Sequence, residues 1–302
     1  MIPDGASLSE LRREIDRIDT AIHDLLVERT RVVEEVGRAK DRESGGAPRR
    51  PFRPAREAQV LRELVERHRG PFPAASLIRI WREIMSGMTR IQGEFSVATL
   101  RAETSDAEDR SLWDAARDHF GLGARYRAYG RASQVLAAID EGEATVGVLP
   151  MPSGGEARPW WPHLIAERPD GLAIVGRLPM LVAPGDRPQP RQLVVTRGPA
   201  EPSGADTSFL AIETRVDTST GTVRAALGAA GLEPERWHEA PNPTSRLMLV
   251  EVGAVITEGD TRLGALRNQA GNWLVDARPI GLCPQPIVVE DNVSPPHDRD
   301  RS

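Results

Sequence analysis

Lysine occurs once in this 302-residue chain, at Lys40, although lysine and arginine together number 39. The other 38 cations are arginine. A guanidinium is a flat fork suited to gripping carboxylates with paired hydrogen bonds, whereas an ammonium is a compact point charge that can serve one oxygen. In a chain that uses arginine wherever any cation suffices, Lys40 is either a residual lysine or a place where a point donor is needed. Arg29 stands eleven residues earlier. In a helix that spacing is about three turns, so the two cations face the same way within about 20°. Arg29 also fills a gap in an apolar register, which leaves two readings open, a solvated surface arginine or a buried anion-binding group. Arg12 lies seventeen residues before Arg29, roughly 25 Å along a helix axis and about 100° around it. It cannot serve the same pocket from the same helix, but in an antiparallel dimer it could reach the partner's.

The element that must carry these cations is one long helix. Leu8, Leu11, Ile15, Ile18, Ile22, Leu25, Leu26, Val32, Val33 and Val36 recur at spacings of three and four, the signature of an amphipathic helix. Ser7 with Glu10 three residues on gives a capping box. The spacing predicts a helix over about 9–41, roughly 50 Å long. Its apolar stripe is too long for one small domain to cover, so it must pair with other helices, including those of a second copy. The stretch 43–52 (ESGGAPRRPF) reads as a loop. A second helix is expected over about 54–68, with Arg56 and Glu57 in its first turn, and a third over about 74–92, ending at Gln92. Three helices without a strand make an all-α unit.

The pattern LRREIDRIDTAIHDLLVERTRVVEEVGRAK, followed by a loop, RE, and a helix ending IWREIMSGMTRIQ, closely resembles the all-helical class of chorismate mutase. The resemblance covers about 8–92. It implies a homodimer of interlocked helical chains acting on chorismate, with no cofactor and no metal. Arg29 and Arg56 would grip the two carboxylates, helped by Arg12 from the partner subunit. Lys40 and Gln92 would donate to the ether oxygen, and Glu57 would hold the ring hydroxyl. Met88 and Arg53 stand where the family often has a small hydroxylated residue and an acidic residue. The implied chemistry suits these residue types. A Claisen rearrangement needs no nucleophile; it needs a folded dicarboxylate held still and a donor for the charge that builds on the ether oxygen.

Composition narrows the setting. Net charge is −5, and residues 1–93 hold 18 cations against 15 anions, so the remainder carries −8. An acidic remainder argues against a nucleic-acid partner. The single Cys283 allows no internal disulfide, which suits the cytoplasm. No apolar run of membrane-spanning length and no signal peptide are read in the chain. The histidines show no metal-ligand spacing.

From about residue 94 the chain changes character. The β-type runs FSVATL, ATVGVLP, LAIVGRLPMLVA and QLVVT alternate with helical stretches at 111–119 and 132–141, an α/β pattern. VLAAIDEGEATVGVLPMPSGG resembles part of the prephenate dehydratase fold, a periplasmic-binding-protein-like architecture. Between Gly155 and Gln192 there are only about 35 residues where that fold would place a second lobe, and its Thr-Arg-Phe motif is at best Pro190-Arg191-Gln192. From about 201 a β-α-β-β-α-β order resembles the ACT domain, with Gly221-Thr222-Val223 and Glu239-Ala240-Pro241 standing for its ligand motifs. The expected division is therefore 1–93 helical mutase, 94–200 degenerate dehydratase-like α/β, 201–290 ferredoxin-like and ACT-like, and 291–302 a disordered tail. Trp160-Trp161 is either an aromatic ligand platform or a hydrophobic plug.

The resulting expectation is a chorismate mutase making prephenate, with a non-catalytic C-terminal region. The alternatives are a bifunctional mutase/dehydratase, or a regulatory scaffold binding another enzyme of the shikimate pathway. A chain ending near Gly93 is expected to keep mutase activity, unless the downstream region props the third helix through Trp81 and Met85.

Overall fold

The computed structural model describes residues 6–44, 52–101, 107–153, 159–165, 171–182 and 192–289. The expected tail at 291–302, most of the loop before the second helix, and Pro190-Arg191 lie outside them. The first helix, α1 (Leu8–Ser44), starts as its cap predicts: the Ser7 N–H donates to Glu10 Oε2 at 2.8 Å and the Glu10 N–H to Ser7 Oγ at 3.3 Å. Helices α2 (Pro54–Arg67) and α3 (Ala74–Gln92) follow. Pro54 opens α2 at a position where its missing N–H costs nothing.

The chain divides into two compact units, and the division cuts through α3. One holds α1 with the last turns of α3, residues 87–94. The other holds α2, the first part of α3 and everything from residue 95 on. In the first unit, the stripe predicted to need a partner is bare: Ile15 is 57% exposed, Ile22 54%, Leu25 63% and Val32 57%.

The second unit is built on a nine-stranded sheet with the order β2-β1-β3-β6-β4-β10-β7-β9-β8. Strands β1 (Ser96–Leu100), β2 (Arg125–Tyr129) and β3 (Val146–Pro150) are parallel. Helices α4 (Ala107–Phe120) and α5 (Ala132–Asp140) connect them, as βαβ crossovers require. β4 (Leu172–Leu178) and β6 (Gln192–Arg197) return antiparallel. β2, of sequence RYRAY, carries no clean alternation and went unread in the sequence.

Strands β7 (Asp206–Arg215), β8 (Pro234–Ala240), β9 (Ser245–Val252) and β10 (Leu274–Pro284), with helices α6 (Thr220–Ala229) and α7 (Thr261–Ala270), make the expected β-α-β-β-α-β unit. The two helices cover one face through Val223, Leu227, Leu263 and Leu266. The sheet continues without a break across the boundary expected near residue 200, because β10 also pairs parallel with β4 at Gly281↔Ile174. On the other face, Phe209, Ala211, Leu249 and Ile280 share one core with α5 and with Trp160, Trp161 and Leu164 of a short 3-10 helix region.

Helices α2 and α3 are anchored to this body. Ala58, Leu61, Ala74 and Ile78 pack with Met180, Ile287 and Val289, and Trp81 and Met85 lie against the same cluster. These C-terminal residues flank or belong to β5 (Leu181–Val182) and β11 (Ile287–Val288), which pair with each other. Arg62 of α2 donates to the carbonyls of Ser203, Ala205 and Gln285 and to Ser203 Oγ, at 2.8–3.3 Å. Arg53, immediately before α2, pairs with Glu201 at 2.8 Å. The downstream region thus does prop the third helix through Trp81 and Met85.

Gly281 permits the one backbone contact between β10 and β4. A Cβ there would stand 2.5 Å from Ile174 Cβ and 2.7 Å from the Ile174 carbonyl oxygen. The Gly281→Ala chain should therefore lose about 3 kcal/mol of stability, the upper range for an overpacked core. Urea unfolding followed by far-UV circular dichroism measures it; an unchanged midpoint would mean that the two strands can separate without cost.

Candidate active site

Helical spacing puts Arg29, Val33, Gly37 and Lys40 along one side of α1. Around that side is an open cavity of about 250 Å³ lined by Val33, Glu34, Gly37 and Arg38 from α1 and by Ile91 and Gln92 from the end of α3. Gln92 thereby lines a cavity with Val33 and Gly37, which stand between Arg29 and Lys40 along α1; neither cation is itself among the lining residues. Gly37 is buried, and its lack of a side chain leaves room there. Arg29 is partly buried, its Nη1 is shielded from solvent without a hydrogen-bond partner, and burial lowers its pKa from the usual value. Lys40 is partly buried as well. Met88, one turn before Gln92, is buried and accepts a weak hydrogen bond from the Thr30 hydroxyl at 3.6 Å. It offers no hydroxyl of its own. Arg12 is exposed and far along the helix from this cavity, as its spacing required.

Arg56 and Glu57 belong to the other unit. Arg56 is exposed, with Nη1 3.4 Å from Gln59 Oε1. Glu57 is largely withdrawn from water and accepts no hydrogen bond among the described residues. Its nearest charge is Arg82, with Nε 3.8 Å from Glu57 Oε1. Burial raises the Glu57 pKa, and the Arg82 charge opposes that rise. Arg82 went unread in the sequence. Its signal was the same as that of Arg29: a cation inside an apolar register, four residues after buried Ile78 and three before Met85.

The other expected sites look closed. Trp160, 3% exposed, donates its indole N–H to the carbonyl of Pro150 at 2.9 Å, at the carboxyl end of β3. The carboxyl ends of parallel strands are where open α/β sheets bind ligands; here an indole stands against that end. Gln192, the only described member of its motif, is buried in β6. In the ferredoxin-like part, Gly221-Thr222-Val223 opens α6 beneath the Ser219 cap. Glu239 is bound by Arg246 at 2.8 and 2.9 Å, and the same guanidinium donates to Thr220 Oγ1.

Residues 11–93 match the family model described as chorismate mutase type II. Among curated relatives, the bifunctional chorismate mutase/prephenate dehydratase of Stutzerimonas stutzeri is 33% identical over 150 residues, which are 49% of this chain and 40% of that protein. The match thus spans about two fifths of that relative's length. A solved quorum-quenching acylase, GqqA, gives a TM-score of 0.44 at 16% identity over 62% of this chain and 94% of its own. Prephenate dehydratase from Streptococcus mutans gives 0.41 at 13% identity over 65% and 99%. The chain therefore begins with a chorismate mutase type II domain. Among the described residues no helix is long and apolar enough to cross a membrane.

The buried imidazole next to Arg82 gives a pH prediction. His119 is 8% exposed, and its pKa is held well below 6.5, first by burial and then by the Arg82 charge. Unfolded, it takes up a proton near 6.5. Stability is therefore complete above that pH and declines as pH falls toward the folded value, by at most about 1.4 kcal/mol per pH unit. The His119→Gln protein should lose less stability than the parent between about pH 7 and about pH 5.5. Parallel thermal melts at the two pH values would detect the difference, and identical declines would place the proton uptake elsewhere.

Proposed function

We propose that this protein is a chorismate mutase that converts chorismate to prephenate in the cytoplasm and carries a C-terminal region without dehydratase activity. One observation supports the reading: Gln92 shares an open cavity with Val33 and Gly37, residues that lie between Arg29 and Lys40 along α1. Arg29 and Arg56 hold the substrate carboxylates, bidentate geometry being what a guanidinium offers. Lys40 and Gln92 donate to the ether oxygen as its bond breaks. Glutamine donates there at any pH, where a carboxylic acid would have to be protonated. Glu57 accepts from the ring hydroxyl.

The bare apolar stripe of α1 supports an interlocked homodimer in which Arg12 serves the partner's site. A stripe of that length left in water is an interaction surface in most soluble proteins. Against dehydratase activity stand the Trp160 indole at the end of β3 and the make-up of the segment between β3 and β6. Among the described residues, that segment contributes one 3-10 turn and strands β4 and β5 only. The Glu239–Arg246 pair favours a structural role for the ferredoxin-like part over effector binding. The buried free thiol of Cys283 fits a reducing compartment.

Incubation with chorismate should give prephenate alone, and added prephenate should not become phenylpyruvate above its spontaneous rate. Enzyme-dependent phenylpyruvate would return the bifunctional reading. Lys40→Ala should lower kcat by about 10²- to 10³-fold, the usual cost of removing one donor to a developing oxyanion. Near-normal turnover in that variant would remove Lys40 from the mechanism.

The shared site makes a separate prediction. Mixed Arg12→Ala and Lys40→Ala chains should regain activity after subunit exchange, because a hybrid dimer keeps one site with both residues. Verified exchange without recovery would leave Arg12 a surface residue.

A further inference from the structure

We propose that Arg82 is the positioning residue for Glu57, and that the end of α4, in the α/β region, holds Arg82 in that role. The inference rests on the mutase reading of Glu57.

A carboxylate withdrawn from water needs a compensating charge, and losing that charge costs more than the pair ever contributes. Among the described residues, Arg82 is the only cation acting on Glu57, and both side chains are largely buried, at 11% and 16% exposure. At 3.8 Å the two are an ion pair without a direct hydrogen bond, and Arg82 Nε has no hydrogen-bond partner. The carboxylate therefore keeps lone pairs for a hydroxyl while the Arg82 charge opposes the cost of its burial. A structural ion pair of this depth is ordinarily closed by paired N–H···O bonds. None is described between these two side chains.

Arg82 is in turn fixed by α4. The buried ring of His119 lies close enough for the Arg82 charge to depress its pKa. One turn beyond Arg82, the Ser86 hydroxyl donates to the Phe120 carbonyl at 2.5 Å. The Phe120 ring meets Phe52, two residues before α2 begins, edge-on at 5.5 Å and lies tilted against Phe95 at 5.5 Å. Gly121 ends the helix at φ +77°, and a Cβ there would stand 2.7 Å from the Glu83 carboxylate. The start of α2, the middle of α3 and the end of α4 are thus one close-fitted joint around the Glu57–Arg82 pair. The other charged groups acting on Arg82 are Asp118 of α4 and Arg79 and Glu83 of α3.

The consequence is a defined protonation state. Burial raises the Glu57 pKa, and the Arg82 charge works against that rise, favouring the ionised form that accepts a hydrogen bond from a hydroxyl. A merely structural arginine would leave the pH dependence of turnover alone.

The test uses the full-length protein, with kcat/KM for chorismate measured from about pH 5 to about pH 9 in the parent, Glu57→Gln, Arg82→Met, Arg82→Lys and the Glu57→Gln/Arg82→Met double variant. Arg82→Met should lower kcat/KM by about 10- to 100-fold and move the acid limb up by about one pH unit. Arg82→Lys should recover most of the rate and restore the limb. The double variant should be no worse than Glu57→Gln alone, since two residues acting as one unit are not additive. If Arg82→Met fails to fold, Arg82→Gln supplies the same comparison with Arg82→Lys. An acid limb unmoved by loss of the charge, or losses that multiply in the double variant, overturns the inference alone. No turnover by the parent, or full turnover by Glu57→Gln, overturns the mutase role of Glu57 and the inference with it.

Discussion

The backbone contact between Gly281 and Ile174 is the constraint on which the second unit depends. It is the one registered pair between β10 and β4, and it joins the strands around β1–β3 to the ferredoxin-like strands as one sheet. Both strands are irregular there: β10 shifts register on β7 between Pro279 and Gly281, and β4 on β6 between Ile174 and Gly176. Such bulges bend a strand and sharpen its twist, which keeps the ladder between these two neighbouring strands short. A buried polar cluster sits close by. Arg177 of β4 donates to the Cys283 sulfur at 3.3 Å, lies over the Phe209 ring and stands 3.7 Å from Glu251. Burial raises the Cys283 thiol to about 11 despite the opposing Arg177 charge, so this thiol is a packing group and a weak nucleophile.

From that junction the chain runs directly to the helices. Three residues past β10, Ile287 enters β11, pairs with Leu181 and packs beneath α2 and α3. The path explains how a region without an open cleft of its own can matter to a helical enzyme. Leu61 and Ile78 are each fully buried by residues from the far end of the sequence. Covering such side chains stabilises by about 1.5–3 kcal/mol apiece. Arg62 adds four hydrogen bonds to Ser203, Ala205 and Gln285. The helices carrying Arg56, Glu57 and Arg82 are therefore parts of the C-terminal body in packing terms, although the family model ends at residue 93.

Much of this was legible in the sequence, for identifiable reasons. The cap at Ser7 and Glu10, the long period of α1 and the shared side of that helix for Arg29 and Lys40 are local features, and α1 carries each. The β-α-β-β-α-β order was readable because β7 and β9 are near-continuous buried runs set apart from two short, capped helices. What escaped were long-range facts. Strand β2 reads RYRAY, and its exposed arginines at 125 and 127 hide its pairing with β1. The sheet's continuity depends on a single contact between residues 107 apart in the chain. Arg82 and His119 acquire their roles from packing between α3 and α4, which no spacing rule reports. Trp160 illustrates the same limit, since a plug and a platform differ only in what lies on either side.

Two partly buried charged groups, one in each unit, are compensated differently. Arg29 keeps a shielded Nη1 without a hydrogen-bond partner among the described residues, and burial lowers its pKa. Glu57 is already compensated by Arg82 and needs only to keep its charge. The end of α4, through the Ser86–Phe120 hydrogen bond and the contacts of Phe120 with Phe52 and Phe95, ties together the elements that carry Glu57 and Arg82. In the reading proposed above, the α/β region serves the helices by fixing that pair, and such a role needs no dehydratase chemistry.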